Sequence, residues 1–152
     1  MAARRVLAQR PDTPPRVLKR LADEPDHFVQ WRVAINHHTP GTALDRLASS
    51  PNNQIRWIVT RNPNVLPSTL ERLADDSYDD VRLAVAQCAD CPPAVLERLL
   101  DDQNFDVAQA AAEHWSLPDA ALTQWLAHSE FHPAPRHQPD QTGDPLGSYP
   151  GF

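Results

Sequence analysis

Apolar residues recur along most of the chain with a fixed interval. In each unit a leucine is followed three and four positions later by two further apolar residues. This i, i+3, i+4 spacing predicts one apolar face of a short helix. The recurring leucines, which define a 26-residue unit, are Leu18, Leu44, Leu70, Leu96 and Leu122.

A second apolar column has the same interval and predicts a second helix in each unit. It consists of Val29, Ile55, Val81 and Val107, each followed four positions later by Val33, Val59, Val85 or Ala111. This element is expected to be the shorter one, either α or partly 3₁₀. Such short helices are marginal alone, so neighbouring units must bury one another's apolar faces. The pattern therefore predicts an all-α solenoid of about five two-helix repeats.

Prolines fall where this arrangement needs helices to begin. A proline at the first helical position lacks only an N–H group that has no partner there, and its φ angle already suits a helix. We expect Thr13 and Thr39, which precede such prolines, to act as N-caps. On the leucine helices, i, i+4 ion pairs are expected for Arg20–Glu24, Arg72–Asp76 and Arg98–Asp102.

The unit VRLAVAQCADCPPAVLERLLDD, with a looser copy in IRWIVTRNPNVLPSTLERLADD, carries a family resemblance. It resembles the leucine-rich repeat variant family over about residues 3–127. The resemblance implies a right-handed superhelix of paired short helices with no shared catalytic chemistry. Some family members carry a cysteine-rich iron–sulfur segment before the repeats, but no cysteine precedes Cys88 here. HEAT-type repeats are the alternative, although their units are longer than the unit of this chain.

The composition changes towards the C-terminus. Three of the 4 glycines and five of the 16 prolines follow residue 131, where the 26-residue pattern has stopped. Low hydrophobicity without periodicity is typical of disorder. We therefore predict a repeat domain over residues 1–128 and a disordered tail over residues 129–152.

Charge and cysteine content restrict the classes of partner. The formal net charge of -6 argues against nucleic acid and anionic membranes, which reward clustered Lys and Arg. No run approaches the roughly 18 apolar residues of a membrane span, so no membrane partner is expected. Two cysteines do not make a disulfide framework, which favours a reducing, cytoplasmic location.

Cys88 and Cys91 form a C-x-x-C spacing, but both occupy ordinary repeat positions. Cys88 shares its column with Asn36, Asn62 and His114. A structural zinc or iron–sulfur site needs two more soft ligands, and the chain has no second C-x-x-C. We expect no metal and no cofactor. A metal- or redox-linked sensor through Cys88 and Cys91, with His114 nearby, is the alternative.

The candidate binding residues lie in an outward column of the second helix. Trp31, Trp57 and Leu83 follow one another there, bordered by Arg56 and Arg82. Large apolar side chains in such a column favour a binding patch, and Trp with Arg is a common hot-spot combination. The alternative is that the Trp side chains fill the cleft between the two helical layers. On the tail, Tyr149 and Phe152 are further candidates for docking to a partner.

The chain carries neither a nucleophile-elbow signature nor a glycine-rich phosphate loop, so we expect no enzyme activity and no small-molecule substrate. The function predicted from the sequence is a protein-interaction scaffold that presents one repeat face to another protein. Besides the metal or redox sensor, nucleic-acid binding on a concave face is an alternative. The 20 acidic against 14 basic residues argue against nucleic acid.

Overall fold

Two kinds of helix alternate along the chain in this computed structural model, which describes residues 2–129. That range contains ten α-helices and no strand, so the predicted all-α class is confirmed. The chain begins with α1 (Ala2–Gln9). The helices that carry the valine column are here called the valine helices. They are α3 (His27–Ile35), α5 (Asn53–Thr60), α7 (Asp79–Ala86) and α9 (Phe105–Ala112). The leucine helices are α2 (Pro15–Leu21), α4 (Gly41–Leu47), α6 (Pro67–Leu73), α8 (Pro93–Leu99) and α10 (Asp119–Ser129).

The helix boundaries repeat at the predicted interval. The leucine helices begin at residues 15, 41, 67, 93 and 119, and the valine helices at 27, 53, 79 and 105. One expectation was wrong: the valine helices are α-helices of 8 or 9 residues, longer than the 7 residues of α2, α4, α6 and α8. These four leucine helices are shorter because proline delays their start and the chain turns soon after the last leucine, whereas α10 has 11 residues.

Helix capping differs from the prediction. Pro14 and Pro40 occupy the N-cap positions of α2 and α4, without a side-chain hydrogen bond. The hydroxyls of Thr13 and Thr39 instead donate backwards, to the carbonyls of Leu7 and Val33. These threonines therefore close the end of the preceding helix. N-capping by side chains occurs on valine helices, where Asp26, Asn52 and Asn104 accept an N–H from the residue two positions on.

The recurring leucines and valines form one continuous apolar core. Leu18, Leu44, Leu70 and Leu96 are fully buried, in the same cluster as the valine column. Leu122 is half-buried and packs against the edge of that cluster. Each buried leucine contributes about 2 kcal/mol to the free energy of unfolding, judged from the apolar area removed from water. Neighbouring units therefore stabilise one another, as such short helices require.

The two helical layers are packed unequally. Helix α1 contacts α3, and each valine helix contacts the next along the whole stack, α3 with α5, α5 with α7 and α7 with α9. In the leucine layer successive helices contact each other far less, and the most substantial of these contacts, between α2 and α4, is smaller than any between successive valine helices. The valine helices therefore form the more closely packed of the two layers. None of the helices within residues 2–129 combines the length and the apolar character that crossing a membrane requires.

Candidate functional site

The predicted aromatic column lies on the exposed edge of the valine helices. Trp31, Trp57 and Leu83 are half-buried, and each packs against the core cluster. In the next unit the same position is Gln109, which is exposed. Each of the two tryptophans thus contacts the core on one side and solvent on the other. The half-burial agrees with the outward position expected for this column, and a role in binding stays a prediction.

Arginine side chains lie over these aromatic rings. The guanidinium carbon of Arg32 is 5.0 Å from the centroid of Phe28 and 5.2 Å from that of Trp31. One unit further on, the guanidinium carbon of Arg61 lies 4.8 Å from the centroid of Trp57. These are cation–π distances. Sequence reasoning did not name Phe28, Arg32 and Arg61 as candidate binding residues. Arg32 directly follows Trp31, and Arg61 lies one helical turn after Trp57, so the spacing was a usable signal.

The exposed strip of the valine helices changes character along the stack. Its N-terminal half, α3 and α5, carries the aromatic rings together with Arg32 and Arg61. Its C-terminal half, α7 and α9, exposes Asp80 and Asp106, and Glu113 follows at the end of α9. One face of the protein therefore has an aromatic, cationic half and an acidic half. We call the former the aromatic–arginine patch, composed of Phe28, Trp31, Arg32, Trp57 and Arg61.

Arg56 and Arg82, predicted to border the column, hold successive units together. The Nε and Nη2 atoms of Arg82 donate to the two carboxylate oxygens of Asp102 at 2.7 and 3.0 Å, and its Nη1 donates to the carbonyl of Asp76. Arg56 makes the same set of bonds to Asp76 and to the carbonyl of Ser50. Both guanidinium groups are thus occupied within the chain. A contact of either residue with a partner stays a prediction.

The i, i+4 ion pairs expected on the leucine helices do not form. Arg72 pairs with Asp45 and Arg98 with Asp75, each in the preceding unit, while Glu24 pairs with Arg4. Apart from Arg10–Asp12, every ion pair within residues 2–129 joins side chains from different units or from a helix and a distant link. The expectation was wrong because Glu24, Asp76 and Asp102 lie in the links after the leucine helices. There they bind Arg4, Arg56 and Arg82 of α1, α5 and α7, which precede them in the chain.

Side-chain amides at the ends of the valine helices form hydrogen bonds to the preceding unit. Nδ2 of Asn36 donates to the carbonyls of Ala8 and Arg10, and Nδ2 of Asn62 donates to those of Ala34 and Asn36. Two units further on, Nε2 of His114 lies 2.9 Å from the carbonyl oxygen of Cys88. The column predicted to contain Cys88 is therefore a column of inter-unit hydrogen bonds.

Cys88 and Cys91 are free thiols, half-buried and buried respectively. Burial raises the pKa of Cys88, and burial together with the neighbouring Cys88 raises the pKa of Cys91 to about 12. Thiolates, not thiols, bind metal and attack disulfides. Within residues 2–129 no group of three or more His, Cys, Asp or Glu side chains is arranged to hold a metal ion. The geometry gives the C-x-x-C pair no ligand partners in that range.

Tyr149 and Phe152 lie outside the described residues, as does the predicted disordered tail (129–152) except for Ser129, which ends α10. In comparisons with known proteins, no family model, no curated protein and no solved structure matches the chain.

Proposed function

We propose that the chain is a non-catalytic protein-interaction scaffold. In this proposal it is a right-handed α-solenoid of about five 26-residue units, related to the leucine-rich repeat variant type, and it presents the exposed strip of its valine helices to another protein. The observation that carries the proposal is the pair of half-exposed tryptophans, Trp31 and Trp57, at equivalent positions of successive units. The free thiols suit a reducing compartment such as the cytoplasm.

The form of the patch supports binding to a protein. Tryptophan and arginine dominate the binding energy of many protein interfaces, because they bury large areas and still carry polar groups. Each tryptophan of the patch is fixed by its contact with the core, so little side-chain entropy is lost when a partner covers it. Helices stack roughly 10 Å apart, which brings the two tryptophans close enough to contact one partner segment.

The test is affinity capture from the native host with a matched control. Full-length wild type, the Trp31→Ala/Trp57→Ala double variant and Trp115→Ala serve as baits. Trp115 is 80% exposed and lies outside the patch, so it controls for the general loss of a surface tryptophan. We expect the double variant to lose a partner that wild type and Trp115→Ala retain. Circular dichroism first establishes that all three baits are folded. Equal recovery by the double variant contradicts the proposal.

A further inference from the structure

We propose that Arg32, held against the rings of Phe28 and Trp31, is a subsite for a carboxylate of the partner. The partner would then bind the aromatic–arginine patch through an acidic segment that carries an apolar side chain beside the acid. This inference rests on the proposed function and names the chemistry of the partner.

Arg32 differs from Arg5, Arg56 and Arg82 of the same helical layer because it makes no ion pair with a described carboxylate. Nε and Nη2 of Arg5 both donate to Asp26, at 3.0 and 2.8 Å, and the forks of Arg56 and Arg82 hold Asp76 and Asp102 in the same side-on manner. Nε of Arg32 is buried and has no hydrogen-bond acceptor among the described residues. The outer Nη atoms of Arg32 are not buried in this way and make no ion pair with a described carboxylate, so they are the atoms that a partner's carboxylate can reach.

The fold itself does not require an arginine at this position. The equivalent residues of the following units are Ile58, Ala84 and Ala110, all apolar. The Arg32 guanidinium is nevertheless confined by the rings of Phe28 and Trp31. A planar cation that is already held in place loses little entropy when a carboxylate binds, and its two outer Nη atoms can donate to the two carboxylate oxygens end-on. The Arg32 guanidinium is thus positioned to bind a carboxylate, and no carboxylate of the described residues pairs with it.

Arg61 extends the same chemistry into the next unit. It lies over Trp57, is exposed, and makes no ion pair with a described carboxylate. Units repeat at roughly 10 Å, the usual distance between packed helices, and an extended peptide advances about 3.3 Å per residue. Two acids separated by about three residues can therefore meet Arg32 and Arg61 together, with an apolar side chain between them on the tryptophans.

The rest of the exposed strip of the valine helices restricts where such a segment binds. Asp80, Asp106 and Glu113 are exposed on the C-terminal half and repel an acidic ligand. Unfavourable contacts of this kind fix the position of a ligand as effectively as favourable ones. The acidic segment is therefore confined to the N-terminal half, over α3 and α5.

The test uses the full-length chain and an unbiased set of probes. Random 12-residue peptides displayed on phage are selected on the immobilised protein, and the enriched peptides are synthesised with a fluorescent label. Their dissociation constants are measured by fluorescence polarisation for wild type, Arg32→Gln, Arg61→Gln, Trp31→Ala/Trp57→Ala and Arg20→Gln. Arg20 is an exposed arginine on α2, in the leucine layer, and serves as the control. Thermal unfolding identifies any variant that fails to fold. If Arg32→Gln does not fold, the loss of peptide affinity in Arg61→Gln is used as the test instead.

We expect enriched peptides to carry Asp or Glu beside an apolar residue. Arg32→Gln should weaken their binding about tenfold or more, as expected for a charge-assisted hydrogen bond, and Arg20→Gln by less than about twofold. Enriched peptides without acids, or with equal affinity for Arg32→Gln, overturn this inference. If those peptides still need Trp31 and Trp57, the proposed function stands. If no peptide depends on the two tryptophans, both proposals are wrong.

A synthetic peptide of residues 139–152 separates a partner from the chain itself. This segment contains two aspartates and ends in Leu146, Tyr149 and Phe152. The inference predicts that it competes more weakly than the selected peptides. Tighter binding by this peptide assigns the patch to the chain's own C-terminal segment and overturns the assignment to another protein.

Discussion

Arg82 and Asp102, distant in the sequence, form a buried ion pair that joins α7 to the link before α9. Both side chains are 7% exposed, and Nε of Arg82 lies 2.7 Å from the carboxylate. Arg56 and Asp76 repeat the arrangement one unit earlier. The pair is shielded from water on both sides, which makes the loss of one partner costly although the complete pair adds little net stability.

Arg82→Met should therefore destabilise the protein strongly, by about 3 kcal/mol, because Asp102 is left buried without its cation. The matched control is Arg98→Met, since Arg98 and Asp75 form an exposed pair at 3.4 Å. We expect the control to cost less than about 1 kcal/mol. Urea denaturation followed by circular dichroism measures both. Similar costs for the two variants would show that the burial of the Arg82 pair has no energetic consequence.

Cys88→Asn should stabilise the protein. Nδ2 of Asn62 donates to two carbonyls of the preceding unit, and a thiol at the equivalent position 88 has no such pair of donors. The new amide should gain about 1 kcal/mol, whereas Cys88→Ala should not. The midpoint of thermal unfolding measures the difference. A melting temperature no higher than that of Cys88→Ala means that the amide column does not extend through this unit.

The two thiols should react slowly with iodoacetamide at pH 8. The raised pKa of Cys88 and the pKa of about 12 for Cys91 keep both groups protonated at that pH, and only the thiolate is alkylated. We expect Cys88, which is less buried, to react before Cys91, and both to react faster in guanidinium. Mass spectrometry of timed samples gives the two rates. Rapid labelling of Cys91 in the native protein would contradict the burial seen here.

Acid should unfold the protein as the inter-unit carboxylates are protonated. Burial by itself would raise the pKa of Asp76, but the hydrogen bonds from Arg56 and from the Tyr78 N–H outweigh it and hold the pKa below the ordinary 3.8. The hydrogen bond from Arg5 likewise lowers the pKa of Asp26. A carboxyl with a lowered folded-state pKa contributes stability that is complete above its unfolded value and is lost as the pH falls through the folded one.

The free energy of unfolding should thus stay level above about pH 5 and fall below about pH 4. Urea titrations between pH 3 and 7 measure it. Asp76→Asn should show a smaller decrease over this acid range than wild type, since one of the titrating groups is gone. A wild-type protein that is as stable at pH 3 as at pH 6 would contradict the assignment.

Gly41→Ala should destabilise the protein although alanine favours helices more than glycine. A Cβ atom at Gly41 would lie 2.6 Å from Cδ2 of Leu66 and 2.7 Å from the backbone oxygen of Asn64. A backbone atom cannot move aside cheaply, so we expect a loss of about 1–3 kcal/mol. Thr42→Ala, at the exposed neighbouring position, is the control and should change stability by less than about 0.5 kcal/mol. Thermal unfolding compares them, and a more stable Gly41→Ala would show that the site is open.

Periodicity predicted the features that are repeated within every unit. Leu18, Leu44, Leu70 and Leu96 were expected in one apolar core, and all four are fully buried there. The prolines Pro15, Pro67 and Pro93 open their helices as expected. These features depend on the local spacing of apolar residues and on the fixed φ of proline, so the sequence of one unit contains the necessary information.

Predictions that needed a partner outside the unit were less successful. Arg72 and Arg98 were paired with acids on their own helix, whereas each bonds to the preceding unit. The recurrence of an Arg and an Asp at one constant separation, at Arg56–Asp76 and again at Arg82–Asp102, was a usable signal in the sequence. It indicates a pair only once the valine helix is known to stack against the following link.

The sequence by itself determined that the chain forms short paired helices at a constant interval, with a shared leucine and valine core. Only the tertiary structure decided which arginines are neutralised within the chain, that Gly41 has no room for a side chain, and that Arg32 lies against two rings without an acceptor for its Nε among the described residues. The physical reason is that periodicity specifies which face of each helix is buried. The distance and rotation between successive units decide which polar atoms meet.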